Sequence, residues 1–152
     1  MNVLDVNVLI ALAHPDHPHY APAKTWWDAS LERGEPFTVP DVVETGFVRI
    51  ATNPRVEGPL ELPEAYDFLN GLHETETFVR WVTSPRTDVI FRRIASESNI
   101  RGKRISDAWI AALAAAYGGT VVTFDRDFRV FAGVRVTELP LRPGPESARV
   151  RA

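Results

Sequence analysis

Residues 1–17 read MNVLDVNVLIALAHPDH, and positions 3–13 are apolar except for Asp5 and Asn7. The run suits a short buried strand over 2–5 (NVLD) that passes directly into a helix over 6–13, with Asp5 at the junction. An ionised carboxylate left alone in a dry interior costs on the order of several kcal/mol. Asp5 therefore requires a helix cap, a cationic partner or a metal ion.

Outward from this start, HPDHPHY (14–20) breaks the helix with two prolines. YAPAKTWWDASLER (20–33) reads as a second helix ended by Gly34. FTV (37–39) is a short strand, and Pro40 opens a helix over 41–51. NPRVEGPLELP (53–63) reads as a loop, 64–74 and 87–98 as helices, and FVRWV (78–82) as a strand between them. SDAWIAALAAAY (106–117) has the strongest helical pattern, with Ser106 as N-cap and Gly118 as stop. TVVTF (120–124) and VRVTEL (134–139) read as strands. Helices alternating with short apolar strands imply an α/β chain whose central, mainly parallel sheet is covered on both faces, a three-layer α/β/α arrangement. The expected organisation is one domain over 1–139 and a poorly ordered tail rich in Pro, Gly and charge over 140–152.

The 152 residues suit one domain, and 45% hydrophobic content is enough for a sizeable core. No apolar run reaches the ~20 residues that cross a bilayer, and the N-terminus lacks a basic leader. The absence of Cys excludes thiol catalysis, cysteine metal sites and disulfides, and fits a cytoplasmic protein with no membrane contact. With a net charge of −3, contact with nucleic acid must be local or pass through a cation.

Four acids share one kind of position. Asp5 ends the first strand, Glu44 lies one turn into the helix after the second, Asp107 starts the alanine-rich helix and Asp125 follows TVVTF. The carboxyl ends of parallel strands share one edge, where ligands bind. Each acid alone is also explained by helix capping or the macrodipole. Together, converging carboxylates repel unless cations are present. An oxygen-rich site suits Mg²⁺ or Mn²⁺, and can activate water against a phosphodiester.

LDVNVLIAL, the Glu in VVETGFVRIATNP, ISDAWIAALAAAYGGTVVTFDRDF and the final short strand resemble a PIN-domain ribonuclease, and more narrowly the VapC toxins of bacterial VapBC toxin–antitoxin pairs. The resemblance implies a PIN-like α/β/α fold and a Mg²⁺- or Mn²⁺-dependent endoribonuclease. The family's acids fall on Asp5, Glu44, Asp107 and Asp125. Asp5, Asp107 and Asp125 are the implied metal ligands, and Glu44 completes the pocket or handles the attacking water. Asn7 and Thr123 are implied to orient the ligands. Asp127 is a further acid in the last loop, with Asp125 favoured because it follows the strand at once. A small VapB-like antitoxin partner and a homodimer are implied as well.

Arg101, Lys103 and Arg104 precede Asp107 and could grip RNA phosphate, or be a solvated loop. His14, His17 and His19 read as a polar loop near the mouth of the site rather than a dedicated metal site, and His73 is isolated. Trp26 and Trp27, about 100° apart on one helix, cannot share a core face, so one should be buried and the other partly exposed. Trp109 is expected in the core. Two other classes fit less well. A haloacid-dehalogenase-type phosphatase needs D-x-D where this chain has DVN, and a non-catalytic module would use the acids only to bind a partner's arginine.

Overall fold

The computed structural model describes residues 1–141. Four parallel strands form one sheet in the order β2-β1-β3-β4: β1 Asn2–Leu4, β2 Phe37–Thr38, β3 Thr120–Thr123 and β4 Arg135–Glu138. Val3 faces Thr38 on one side and Val121 on the other. Six helices surround the sheet: α1 Val6–Ala13, α2 Tyr20–Glu32, α3 Asp41–Ala51, α4 Leu62–His73, α5 Pro85–Glu97 and α6 Arg104–Ala116. A short 3₁₀ turn, η1, covers Arg126–Val130.

The central strands are apolar on both faces because helices cover both. Val3, Leu4, Val121 and Val122 are fully buried. The α6 stretch Ile110–Ala114 is buried on nearly every side and packs on β1 and β3. Gly118 follows α6 at φ +65°, the left-handed turn that ends a helix and that only glycine adopts freely. Gly46 in α3 leaves room for Val6, whose Cγ2 would lie 3.0 Å from an added Cβ, so α3 packs closely on α1.

The strand order places the site. The connection leaving β1 runs toward one edge of the sheet and that leaving β3 runs toward the other. The carboxyl ends of these adjacent strands therefore flank a topological switch point, where the chain parts and leaves a crevice.

Four expectations are corrected. FVRWV does not form a strand: only Phe78 bridges to Phe37, because β2 is itself just two residues long and offers nothing further to pair with. Val79 and Val82 are exposed. Ser106 is not an N-cap. A turn at Gly102, φ +60°, starts α6 at Arg104, two residues earlier. Trp26 and Trp27 are both half-buried, Trp27 packing edge-on against Phe37 with ring centres 4.7 Å apart. Trp109 packs edge-on against Phe91 at 5.1 Å, half-buried rather than in the core. Among the described residues no helix is long and apolar enough to cross a membrane. Most of the tail, 142–152, lies outside the described residues.

Candidate active site

Asp5 leaves β1 with an extended backbone and stands at the N-cap of α1. It is only 5% exposed, and it has no cationic partner within salt-bridge distance among the described residues. Hydrogen bonds take the place of one. Its Oδ1 accepts from the Val6 N–H at 2.7 Å. Its Oδ2 accepts from the Asn7 side-chain amide at 2.8 Å and from the Thr123 hydroxyl at 2.6 Å.

Thr123 is fully buried at the end of β3 and uses its whole capacity. Its hydroxyl donates to Asp5 and accepts from the Asp125 N–H at 2.9 Å and the Asn7 amide at 3.0 Å. The Asn7 carbonyl accepts from the Phe124 N–H at 3.2 Å. Asp5 at the N-cap of α1, Asn7 in its first turn and Thr123 on β3 thus lock the ends of the neighbouring strands together.

These bonds do not fully compensate the charge. Burial, and then the charges of Asp107 and Asp125, push the Asp5 carboxyl up to about 6, against the Thr123 and Val6 hydrogen bonds. Burial and Asp125 likewise raise Asp107, which Arg104 and Lys103 partly oppose. Asp5, Asp107 and Asp125 line one open cavity of about 380 Å³ with Asn7, Ile10 and Phe124. His17 and His19 line it too, in keeping with a polar loop at the mouth, whereas His14 is held to α1 through Nδ1, 2.8 Å from the Ile10 carbonyl. Burial and the two neighbouring imidazoles hold His17 below the usual histidine range, which favours its neutral ring.

The other expected residues are placed differently. Glu44 lines a separate cavity of about 640 Å³ between α3 and α4, with its Oε1 2.5 Å from His73 Nε2. Nothing in the sequence marked His73 as its partner, because α4 reaches α3 only in the folded chain. Asp127 is not among the residues lining the acid cavity. Its backbone N–H caps onto Asp125 Oδ1 at 2.8 Å, and its carboxylate is largely exposed, 3.8 Å from Arg104. Arg104 also donates to the Asp127 carbonyl at 3.2 Å. Arg101 is exposed and turned toward Asn99, 3.5 Å away.

The donor set at the acid cavity is all oxygen, which suits a hard divalent cation. Among the described residues no three His, Cys, Asp or Glu side chains close on a point that could hold a metal ion. That agrees with the habit of Mg²⁺, which keeps several waters and takes only one or two protein carboxylates. The buried, mutually repelling acids fit such an ion.

A family model described as PIN domain matches residues 3–134. The chain belongs to the PIN-domain family. Relatives of this PIN-domain chain include "Ribonuclease VapC31" of Mycobacterium tuberculosis, 37% identical over 142 residues that cover 93% of this chain and 100% of the relative. "Ribonuclease VapC25" of the same species is 35% identical over the same shares. Among solved structures, VapBC2 from Rickettsia felis bound to a DNA fragment from its promoter has a TM-score of 0.71 at 12% identity, covering 91% of this chain and 98% of that one. VapC20 of M. tuberculosis, described as a sarcin-ricin loop cleaving toxin, has a TM-score of 0.66 at 15% identity, covering 88% of this chain and 96% of that one. Both likenesses confirm the PIN fold, its parallel sheet and its layered helices.

Proposed function

We propose that this chain is a divalent-metal-dependent endoribonuclease, the toxin of a VapBC-type toxin–antitoxin pair. The observation that carries the reading is the convergence of Asp5, Asp107 and Asp125 on one cavity at the switch point between β1 and β3. Its relatives of 37% and 35% identity carry the name ribonuclease. The proposed PIN domain spans 1–139, and the proposed setting is the cytoplasm.

In this reading Asp5, Asp107 and Asp125 would hold Mg²⁺ or Mn²⁺, one or two of them directly and the rest through its waters. The chemistry that a divalent ion supplies there when bound is activation of water and relief of charge on a phosphodiester. Asn7 and Thr123 fix the Asp5 carboxylate through its Oδ2, so that it does not turn away between turnovers. Lys103 and Arg104, whose charges already reach Asp107, draw an RNA phosphate toward the acids, and Arg101 adds a weaker pull from further out. Glu44 handles the attacking water once its carboxylate leaves His73.

The partners proposed are an RNA substrate, a small VapB-like antitoxin and a second copy of the chain. The test is cleavage of a labelled total-RNA sample by the purified protein in millimolar Mn²⁺ or Mg²⁺. Cleavage that stops with excess EDTA, returns with metal, and disappears on adding the protein encoded by the neighbouring small reading frame supports the reading. Cleavage untouched by EDTA rules out the metal, and binding of RNA without cleavage leaves a non-catalytic module.

A further inference from the structure

The acid cavity has a second wall of different chemistry. The His19 imidazole stacks on Phe124, with ring centres 4.9 Å apart and planes 24° apart. His17 meets His19 edge-on at 5.5 Å and 60°. Both imidazoles line the cavity that holds Asp5, Asp107 and Asp125.

This wall is built rather than incidental. Phe124 is 6% exposed and sits between Thr123 and Asp125, with its N–H bonded to Asn7. The ring that backs His19 is therefore fixed in the same network that holds Asp5. The loop is pinned at its start by the contact of His14 with the Ile10 carbonyl. His17 Nδ1 accepts the His19 backbone N–H at 3.0 Å, so the proton of the neutral ring lies on Nε2. His17 thus offers a neutral hydrogen-bond donor, and His19 offers a flat ring held rigid from behind.

We propose that the His17–His19 pair, backed by Phe124, is a nucleobase subsite, taking the unstacked base next to the phosphate that the acids engage. This rests on the ribonuclease reading and adds to it. Charged groups suit the phosphate, but a base needs a flat ring surface beside it, and His19 stacked on Phe124 with His17 at its edge provides one. Sequence-tolerant recognition of single-stranded RNA uses such stacking on aromatic and imidazole rings, and a fixed ring loses little conformational freedom on binding. The cavity volume of about 380 Å³ lies within the ~300–1,000 Å³ of small-ligand sites.

The test uses the full chain and a fluorescent oligoribonucleotide whose cleavage position has been mapped. A second oligonucleotide carries an abasic residue beside that position. The unmodified protein should cleave the abasic strand with a kcat/KM lower by roughly 5- to 100-fold, the value of one stacked base at 1.4 kcal/mol per tenfold. The pair His17→Ala with His19→Ala should cleave both strands at the same reduced rate, the loss lying mainly in KM. The single change His19→Phe, made in an otherwise unmodified chain, keeps a ring on Phe124 and should retain discrimination. Mn²⁺ affinity by calorimetry and the melting temperature should match the unmodified protein in every variant. If the double variant still discriminates, or loses Mn²⁺ affinity, the subsite is wrong and the loop only supports the acids. If the unmodified protein cleaves neither strand, the ribonuclease reading itself fails.

Discussion

The cavity at the ends of β1 and β3 and the cavity between α3 and α4 each hold an acid that the sequence placed in a single group of four. They are built differently. Asp5 follows β1 directly and Asp125 stands two residues past β3, its N–H held by Thr123, while Thr123 and Asn7 fix the Asp5 side chain. Glu44 stands on a helix, on a longer side chain, and satisfies itself with His73 from another helix. Carboxylates anchored by a sheet are held together even though they repel. Glu44, unlike the helix-borne Asp107 of the acid cavity, has an imidazole from a neighbouring helix within reach and pairs with it.

The widest separation between the two regions should appear on neutralising Asp5. Asp5→Asn is nearly isosteric and should lower RNA cleavage by about a hundredfold or more, equivalent to ~3 kcal/mol of transition-state stabilisation. In EDTA at pH 7 its melting temperature should equal or exceed that of the unmodified protein, because the remaining acids repel less. A lower melting temperature with cleavage retained would reduce Asp5 to the cap of α1 and erase its distinction from Glu44.

Next comes acidity. The Asp5 carboxyl titrates at about 6 when folded and near 3.8 when unfolded, so the folded state binds the extra proton. Its contribution to stability is complete below pH 3.8 and is lost as pH rises through 6. Without metal, unfolding by urea should become easier between pH 5 and 7, by up to about 3 kcal/mol in the full acid-to-neutral range. Asp5→Asn should flatten that slope relative to the unmodified protein, since every other group titrates in both. Millimolar Mn²⁺ should flatten it as well, by holding the carboxylate ionised and occupying the folded state alone. An equal slope in the variant would place the titration elsewhere.

Thr123→Val should act on the sheet-anchored cavity only. It keeps the shape but removes one donor and two acceptances in a fully buried position, leaving Asp125 N–H and Asp5 Oδ2 short of partners. The expected loss is about 1–3 kcal/mol in urea unfolding. Cleavage should fall with it, because Asp5 is no longer held.

The smallest effect should come from His73→Ala, which releases Glu44. Breaking one hydrogen bond of about 1 kcal/mol net should raise cleavage by a few-fold at most. A loss of cleavage instead would mean that His73 holds Glu44 in its working position, and the two cavities would have to be treated as one site.

Much of this was legible in the sequence. Apolar runs of three to five residues separated by helical periods called for a buried parallel sheet, and the acids at the run ends marked its functional edge. The α1, α2, α3 and α6 helices were readable because apolar spacing and glycine stops are local signals. The strand over 78–82 was misread because alternation of apolar residues describes a half-buried surface, not the partner that must pair with it. The His17, His19 and Phe124 wall lay partly in view as a polar loop. Its stacking on Phe124 joins positions more than a hundred residues apart and has no local signature.

By itself, the sequence determined which groups are carboxylates, that Asp5 would need compensation, and that it would stand where a strand becomes a helix. These follow from residue chemistry and from backbone periodicity, which act over a few positions. The sequence already favoured Asp125 over Asp127 and, through the family resemblance, pointed to Asn7 and Thr123; only the tertiary structure set the bonds by which those two hold Asp5 and turned Glu44 to His73. Those choices depend on distances between side chains on different elements, which strand order and helix packing set and which no neighbouring residue encodes.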